Sequence, residues 1–491
     1  MRGSLNMSRE ATSVLARHDP QSKLIAATRE DGLGGRLLAM VNAKSLADTL
    51  GYRFGFTWRP MHDDKFHSVE KVDQIFSTDF IEKHWLGERV EPSGFDVLEE
   101  VAFTRASLDA AAGRRSLRGW ICNEFRLPDF FHGGPELVRR SETLRGFGFS
   151  QAVNRALDAA DRCPFPGPTA ALHLRSGDIV RGKYRFMPDF SDKVVASTLV
   201  KSIVSELASK GLTTLLIGQD RATLEYLRSQ TGALQSDDLG SAEFEDETLR
   251  AFFEMRLMAR CRTIYAGNSV YASVASTMGD IALVHPKTLF GGSRAAEMIL
   301  AELSRHQGDY HPLEAAFGYQ TAFLDLEGQI GSARAKDILE KAHALDPEND
   351  VYPLKVAAAY FRDRHYRSGE AVLKALMTTQ FEASSAMPLR AIGVLVRRSW
   401  RGGHVMSKDF ESFFAAAADG HPYAAACSAH ILHVVFGKLK PARRMIAMSL
   451  EAEPNNALFK RIKRHIRPLT TPQSGLLAKA RLRLWKAGIR I

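Results

Sequence analysis

The residues of this chain best suited to chemistry stand at the end of one apolar run, Thr169-Ala170-Ala171-Leu172-His173-Leu174-Arg175-Ser176-Gly177-Asp178. The run has β-strand character. A strand that stops in His, Arg, Gly and Asp sets polar groups at the carboxyl edge of a sheet, where open α/β folds take their ligands. Arg175 carries a permanent planar cation that can hold a phosphate through two parallel hydrogen bonds, which suits a diphosphate whose charge grows as a bonded sugar departs. His173, two residues earlier, falls on the same face of the strand. The same cluster also fits a plain strand cap, with Arg175 paired to Asp178 and no ligand.

Three other segments must position this edge. Asp31-Gly32-Leu33-Gly34-Gly35-Arg36-Leu37-Leu38 leads into a helical pattern through Leu46 and Leu50. Its glycines allow a tight turn, and the helix start presents N–H groups to an anion or a sugar. Thr213 to Asp220 is a second strand ending in polar residues, with a helical pattern through Leu224 and Leu227 behind it. The helical run Glu247 to Ala259 leads to a strand at Thr263, which continues through Ala266-Gly267-Asn268-Ser269 into a helix holding Ser273. There Asn268 or Ser269 either caps the helix or, with Ser273, holds a phosphate. Strands alternating with helices, each strand finishing in polar residues, predict a doubly wound α/β half-domain.

Taken in order, G-L-G-G-R-L, H-L-R-S-G-D, L-L-I-G-Q-D and Y-A-G-N-S-V-Y-A-S resemble the GDP-fucose-dependent fucosyltransferases, over roughly Leu24 to Leu303. The bacterial α-1,2 and nodulation types come first, the α-1,6 and protein O-fucosyltransferases more distantly. The resemblance implies an α/β GT-B-like fold of two facing Rossmann-like domains, a nucleotide sugar held by the second, inverting transfer and no bound metal or cofactor. It makes Arg175 the ligand of the donor β-phosphate, with Asp178 holding the loop or a sugar hydroxyl. It gives His173 the diphosphate or ribose, and puts Gly34, Gly35, Arg36 and Asp220 on the donor side. Asn268, Ser269 and Ser273 would line the phosphates and nucleoside. Two positions depart from the pattern: Gly35 stands where many members carry Asn, and Ser176 where the α-1,2 enzymes carry a second Arg.

A transferase neutralises a departing diphosphate with a divalent metal or with fixed cations and helix N-termini. The chain has no D-x-D tripeptide at a strand end, and neither Asp63-Asp64 nor Asp246 makes one. It supplies Arg175 and, in the loop 180–186, Arg181, Lys183 and Arg185. That loop reads equally as an element that closes over substrate or as a solvated basic turn. Asp31, Asp178 and Glu245 are candidate general bases, and the sequence does not choose among them.

Composition bounds the picture. The 491 residues predict three domains at ~150 residues each. No apolar run is long enough to span a bilayer, and Met1 to Pro20 lacks the apolar core of a signal peptide. Cys122, Cys163, Cys261 and Cys427 are scattered, which suits reduced thiols in a cytoplasmic protein. Past Leu303 the pattern is helical throughout. Ala335 to Ala342, then Leu345-Asp346-Pro347-Glu348-Asn349-Asp350, then Leu354 to Tyr360 resembles a tetratricopeptide-like helix pair, and Met445 to Asn456 repeats its closing phrase. Pro347 and Pro454 stand about three periods of ~34 residues apart. Such an all-α array either offers a concave face to a glycan acceptor or a partner protein, or simply buttresses the enzyme.

From Ala457 the basic residues Lys460, Arg461, Lys463, Arg464, Arg467, Lys479, Arg481, Arg483, Lys486 and Arg490 meet no Asp or Glu, and together equal the whole formal net charge of +10. If Leu476 to Ile491 is helical, Lys479, Arg483, Lys486 and Arg490 share a face. The segment suits peripheral contact with an anionic inner-membrane surface, where a glycolipid acceptor would lie, and equally suits a solvated cap. Nucleic acid is not an expected partner, since the charge is terminal and no binding module accompanies it.

The expected organisation is a flexible N-terminus (1–23), an acceptor-side Rossmann-like domain (24–165), a nucleotide-sugar-binding Rossmann-like domain (166–303), a helical repeat domain (304–456) and a basic tail (457–491). The expected function is metal-independent, inverting transfer of fucose or a related sugar from a GDP-sugar to a glycan. The rival is a helical-repeat scaffold whose α/β portion is degenerate.

Overall fold

The computed structural model describes residues 23–64, 67–134, 136–384, 386–399 and 402–467. The expected N-terminal segment up to residue 22, and the tail beyond Arg467 with its expected 476–491 helix, lie outside them.

Chain order gives β1 (Leu24–Ala27), β2 (Arg53–Phe56), a small antiparallel hairpin of β3 (Met61–Asp64) and β4 (His67–Val69), then β5 (Phe95–Val97) and β6 (Gly119–Ile121). Four of these form a parallel sheet in the order β2-β1-β6-β5. β1 is Leu-Ile-Ala-Ala and buried throughout. A strand apolar on both faces is what a parallel sheet covered on two sides requires. The helix Leu33–Leu50 follows β1 directly.

A second parallel sheet has the order β11-β10-β7-β8-β9, built from β7 (Thr169–Leu174), β8 (Thr213–Gly218), β9 (Leu234–Gln235), β10 (Thr263–Ala266) and β11 (Leu283–Val284). β7 is central and buried along its whole length, with His173 in register between Ala266 of β10 and Ile217 of β8. Its alternating side chains serve two cores. Ala171 joins Ile217 and Ile264 in the core that also holds Leu37, Phe56, Trp120 and Phe252. Ala170, Leu172 and Leu174 join the core that runs through Leu303 and Phe317 to Tyr352 and Ala359. One face of the sheet is therefore fused to the first α/β unit and the other to the helical part.

That part comprises the helices Gly292–His306, Pro312–Leu326, Ser332–Leu345, Val351–Arg362, Tyr366–Ala383, Arg390–Leu395, Phe410–Ala418, Pro422–His430, Leu439–Ala452 and Ala457–His465. Pro347 and Pro454 fall in the turns after Leu345 and Ala452, where a residue that cannot donate a helical hydrogen bond is tolerated. Among the described residues no helix is long and apolar enough to cross a membrane.

Two glycines set how closely the units approach. A Cβ on Gly34 would meet the Tyr271 backbone at 2.9 Å, so only glycine lets the start of the helix Leu33–Leu50 lie against the start of the helix Val270–Gly279. A Cβ on Gly267 would meet the carbonyl carbon of Lys193 at 2.4 Å, which lays the turn before Val194 across the end of β10.

Candidate active site

β7 ends at Leu174, and the chain turns through Ser176 into the short helix Gly177–Val180. Arg175 Nη2 lies 3.3 Å from Asp178 Oδ1 and 3.4 Å from Oδ2, with the two side chains 22% and 10% exposed. Charge-assisted bonds of this kind usually close to about 2.7–2.9 Å. The pair is loose, and the guanidinium keeps a solvent-facing side. His173 is buried, with its ring 5.3 Å from that of Tyr271. Burial, and then the neighbouring Arg175, push its pKa down to about 3, so the imidazole is neutral. Its Nδ1 is buried without a hydrogen-bond partner among the described residues. Tyr271 holds the adjoining helix by donating its hydroxyl to the Ala251 carbonyl at 2.8 Å.

The first unit closes on this edge with the turn after β1. Arg29 Nε donates to Asp31 Oδ2 at 2.7 Å and Nη1 to the Asn123 carbonyl at 2.9 Å, with the guanidinium carbon 4.1 Å above the Phe125 ring. A Cβ on Gly35 would fall 2.4 Å from Asp31 Oδ1, so the missing side chain makes room for that carboxylate. No side chain caps the helix that begins at Leu33. Arg36 is 3% exposed. It donates to the carbonyls of Asp31 at 2.6 Å, Glu30 at 3.1 Å and Arg59, over the ring of Trp58. In place of the expected donor contact, Arg36 ties the 29–36 turn to the chain after β2.

Other expected donor residues are engaged with the protein. Asp220 caps the helix Arg221–Thr231, accepts the Thr223 hydroxyl and pairs with Arg181. The Asn268 amide donates to Asp192 Oδ2 at 2.6 Å, and its backbone N–H to the Asp192 carbonyl at 2.8 Å. Ser269 caps the helix Val270–Gly279, and the Ser273 hydroxyl donates to the Ser269 carbonyl at 3.0 Å. The structure thus brings Gly34, Gly35, His173, Arg175, Asp178, Ser269 and Ser273 to the facing strand and helix ends, while Arg36 and Asp220 sit to either side as braces. Of the candidate bases, Asp31 stands on the first unit with its side chain 44% exposed, Asp178 beside Arg175, and Glu245 exposed before the helix Glu247–Ala259.

The loop after the central strand is tied down on both sides, with Lys183 its exposed residue. Arg181 turns inward to Asp220. Arg185 pairs with Asp346 at 3.4 Å and with Glu348, and its carbonyl accepts from Asn349 at 3.1 Å. Arg397 donates to the Phe186 carbonyl at 3.3 Å, and the Ser399 hydroxyl donates to Asp189. Five residues of the helical part, Asp346, Glu348, Asn349, Arg397 and Ser399, hold residues 185, 186 and 189.

Three charged residues here escaped sequence reasoning. Lys193 and Arg29 enter from turns that carry no motif. Glu314 comes from the helix Pro312–Leu326 and is buried, with Ser197 Oγ donating to its Oε2 at 3.0 Å and Arg181 Nε 4.0 Å from its Oε1. It lines a pocket with Arg175, Ser176, Ser197, Asp220 and Thr223. Burial pushes its pKa up to about 7. Its only sequence signal is an acid in the first turn of a helix, which is ordinary. Among the described residues no group of three or more His, Cys, Asp or Glu is arranged to hold a metal ion.

No protein-family model and no curated protein sequence matches the chain. Among solved structures it is similar to fucosyltransferase NodZ from Bradyrhizobium, with 15% identity over 52% of this chain and 93% of that one and a TM-score of 0.32. It is similar to POFUT1 in complex with GDP, with 10% identity, 54% and 98% coverage and a TM-score of 0.32. A variant of Arabidopsis thaliana FUT1 in complex with GDP gives 12% identity, 57% and 75% coverage and a TM-score of 0.36. TM-scores of this size leave the case for function to the site itself.

Proposed function

We propose that this chain is a fucosyltransferase-like glycosyltransferase that moves fucose, or a related sugar, from a GDP-linked donor to a glycan or glycolipid with inversion, Arg175 neutralising the diphosphate as it leaves. The observation that carries this reading is the pair at the end of β7: a buried His173 Nδ1 without a partner among the described residues, beside an Arg175 only loosely engaged. Buried polar atoms are partnered in about nine cases of ten, and an orphan at a strand edge leaves a hydrogen bond for a ligand group to make.

Breaking the sugar–phosphate bond leaves negative charge on the β-phosphate. Arg175 can turn its solvent side to that charge in a bidentate bond, and the helix starts at Leu33 and Val270 add partial positive charge from their N–H groups. His173 is neutral, so it acts as a hydrogen-bond partner and not as a proton source. Asp178 orients Arg175. On this reading 24–165 and 166–303 are the two Rossmann-like halves of a GT-B-like enzyme working without a metal, in a cytoplasmic setting. Residues 304–456 are a tetratricopeptide-like array that supports the site and offers a surface to the acceptor.

A melting panel with GDP, UDP, ADP and CDP tests the reading, because a ligand bound only by the native state stabilises it by ~2.7 kcal/mol at a hundredfold excess over Kd. GDP is expected to raise the Tm and to be released from GDP-fucose on turnover. Stabilisation by UDP alone, or by none of the four, refutes it.

A further inference from the structure

The helix Pro422–His430 runs on through a single π-turn, Ile431–Val435, and the chain breaks away at Gly437, whose φ of 64° is left-handed. In an uninterrupted α-helix Val434 would follow the buried His430 by one turn and share its face. The wider turn is a rare element, often found at functional sites. Here it leaves Val434 44% exposed and Phe436 50% exposed. Among the described residues only three large apolar side chains are exposed, and these are two of them. They form the outer end of an aromatic group, with the Phe436 ring 6.3 Å from that of Phe410 and 6.4 Å from that of the half-buried Phe414.

Cations border this tip on both sides. Lys438 follows it, with its N–H bonded to the Leu432 carbonyl at 2.8 Å, and Lys440 stands in the first turn of the next helix, Leu439–Ala452. On the other side His433 donates its Nε2–H to the Arg467 carbonyl at 2.8 Å, which sets Arg467 beside the π-turn. Arg467 Nε donates in turn to the Arg464 carbonyl at 2.9 Å. Lys460, Lys463, Arg464 and Arg467 make one exposed row, opposite the buried Leu458, Phe459 and Ile462 of the helix Ala457–His465. None of these six cations has an ion pair among the described residues. The acids Glu451 and Glu453 stand at the far end of the helix Leu439–Ala452, where Glu453 faces Lys374 at 3.5 Å. Glu411 is the one acid on the helix that carries Phe414. Residues 468–491 add five cations and no acid.

The tip calls for an apolar partner and its border for an anionic one. Another protein's apolar surface offers the first and a soluble polyanion the second, whereas an anionic bilayer offers both, hydrocarbon beneath a layer of phosphate. We propose that this end of the helical part is a membrane-docking face, Val434 and Phe436 entering the acyl boundary of an anionic bilayer while the six cations rest among its phosphates. The proposal goes beyond sugar transfer and stands whether or not the donor is a GDP-sugar. Each of the two apolar residues is about half exposed, so together they have one side chain's worth of surface left to bury, which gives about tenfold or more in partition.

Sedimentation of the full chain with vesicles of phosphatidylcholine, with and without phosphatidylglycerol, tests this face. Binding is expected to be more than tenfold tighter with the anionic lipid and to weaken in high salt. Val434→Ser with Phe436→Ser should lose about tenfold on the anionic vesicles, and Lys463→Gln with Arg464→Gln about fivefold for each charge removed. Val434→Ser alone leaves the aromatic group intact and should still lose about threefold, which keeps the test open if the Phe436→Ser change unfolds the chain. Phe436→Trp keeps a ring beside Phe410 and Phe414, and its added fluorescence over the wild type should be quenched by lipids brominated in their acyl chains. Absence of binding to anionic vesicles overturns the proposal, as does binding that the folded serine variants retain in full or the lack of quenching in Phe436→Trp. Retention on an acidic polymer without binding to vesicles also overturns it, in favour of a site for soluble polyanions.

Discussion

Arg175→Lys separates the charge at the end of β7 from its geometry. Lysine keeps the cation but presents a point charge where arginine presents a planar fork. If the fork stabilises the departing diphosphate, its loss should raise the barrier by ~2.7–4 kcal/mol, or about 10²–10³ in turnover, the cost of removing one stabilising donor. Arg175→Ala removes the charge as well and leaves Asp178, whose side chain is only 10% exposed, without its partner. Because that pair stands at 3.3 Å and 3.4 Å, its loss should cost stability no more than about 1 kcal/mol, at the weak end of buried-partner effects. The two variants should therefore lose activity far out of proportion to folded protein. The assay is the initial rate of GDP release from GDP-fucose, with and without a glycan mixture, beside thermal melting of the same samples. Either variant within about threefold of the wild-type rate, less than ~1 kcal/mol of barrier, refutes the role. So does a loss of rate that simply follows the loss of folded protein.

Glu314→Gln should remove a pH dependence of stability. The folded carboxyl titrates near about 7 against an ordinary 4.5, so the folded chain holds a proton that the unfolded chain releases. Stability from the neutral form is complete below the unfolded value and declines as pH rises to about 7, by on the order of 3 kcal/mol. The glutamine variant should therefore be the more stable near neutrality and above, as urea unfolding at about pH 5 and about pH 8 would read, and an unchanged slope between the two counts against the buried-acid assignment. Gly34→Ala should drive a methyl group into the Tyr271 backbone 2.9 Å away and part the two helix starts. A cost of ~1–3 kcal/mol in stability is expected, with weaker GDP binding, and unaltered melting and affinity would show that the contact does not set the interface.

How far the sequence foretold this molecule depended on the length and locality of each signal. β7, β8 and β10 are four to six residues long, apolar and followed by Gly, Ser, Asn or Asp, and they were legible as strands ending in polar turns. The helix Glu247–Ala259 has the bounds its pattern predicts. β5, Phe-Asp-Val, and β6, Gly-Trp-Ile, are too short to show any period, and the first sheet was not legible strand by strand. Arg36, Asp220 and Asn268 are of types that suit a phosphate or a sugar, yet each is taken by a protein group that no local spacing reveals: carbonyls of residues 30, 31 and 59, Arg181, and Asp192. Lys193 and Glu314 meet Arg175 and its loop only through the topology, since they lie outside every motif.

The grip of Asp346, Glu348, Asn349, Arg397 and Ser399 on residues 185–189 bears on how such a chain can be dissected. A truncation at residue 303 would remove Glu314 and every one of these contacts, stranding Arg185 with its charge half-sheltered and no counter-ion. The shortest fragment that keeps Arg185 partnered must therefore extend well past the last strand. Exchanging the helical array for another would mean rewriting the segment that follows Arg175.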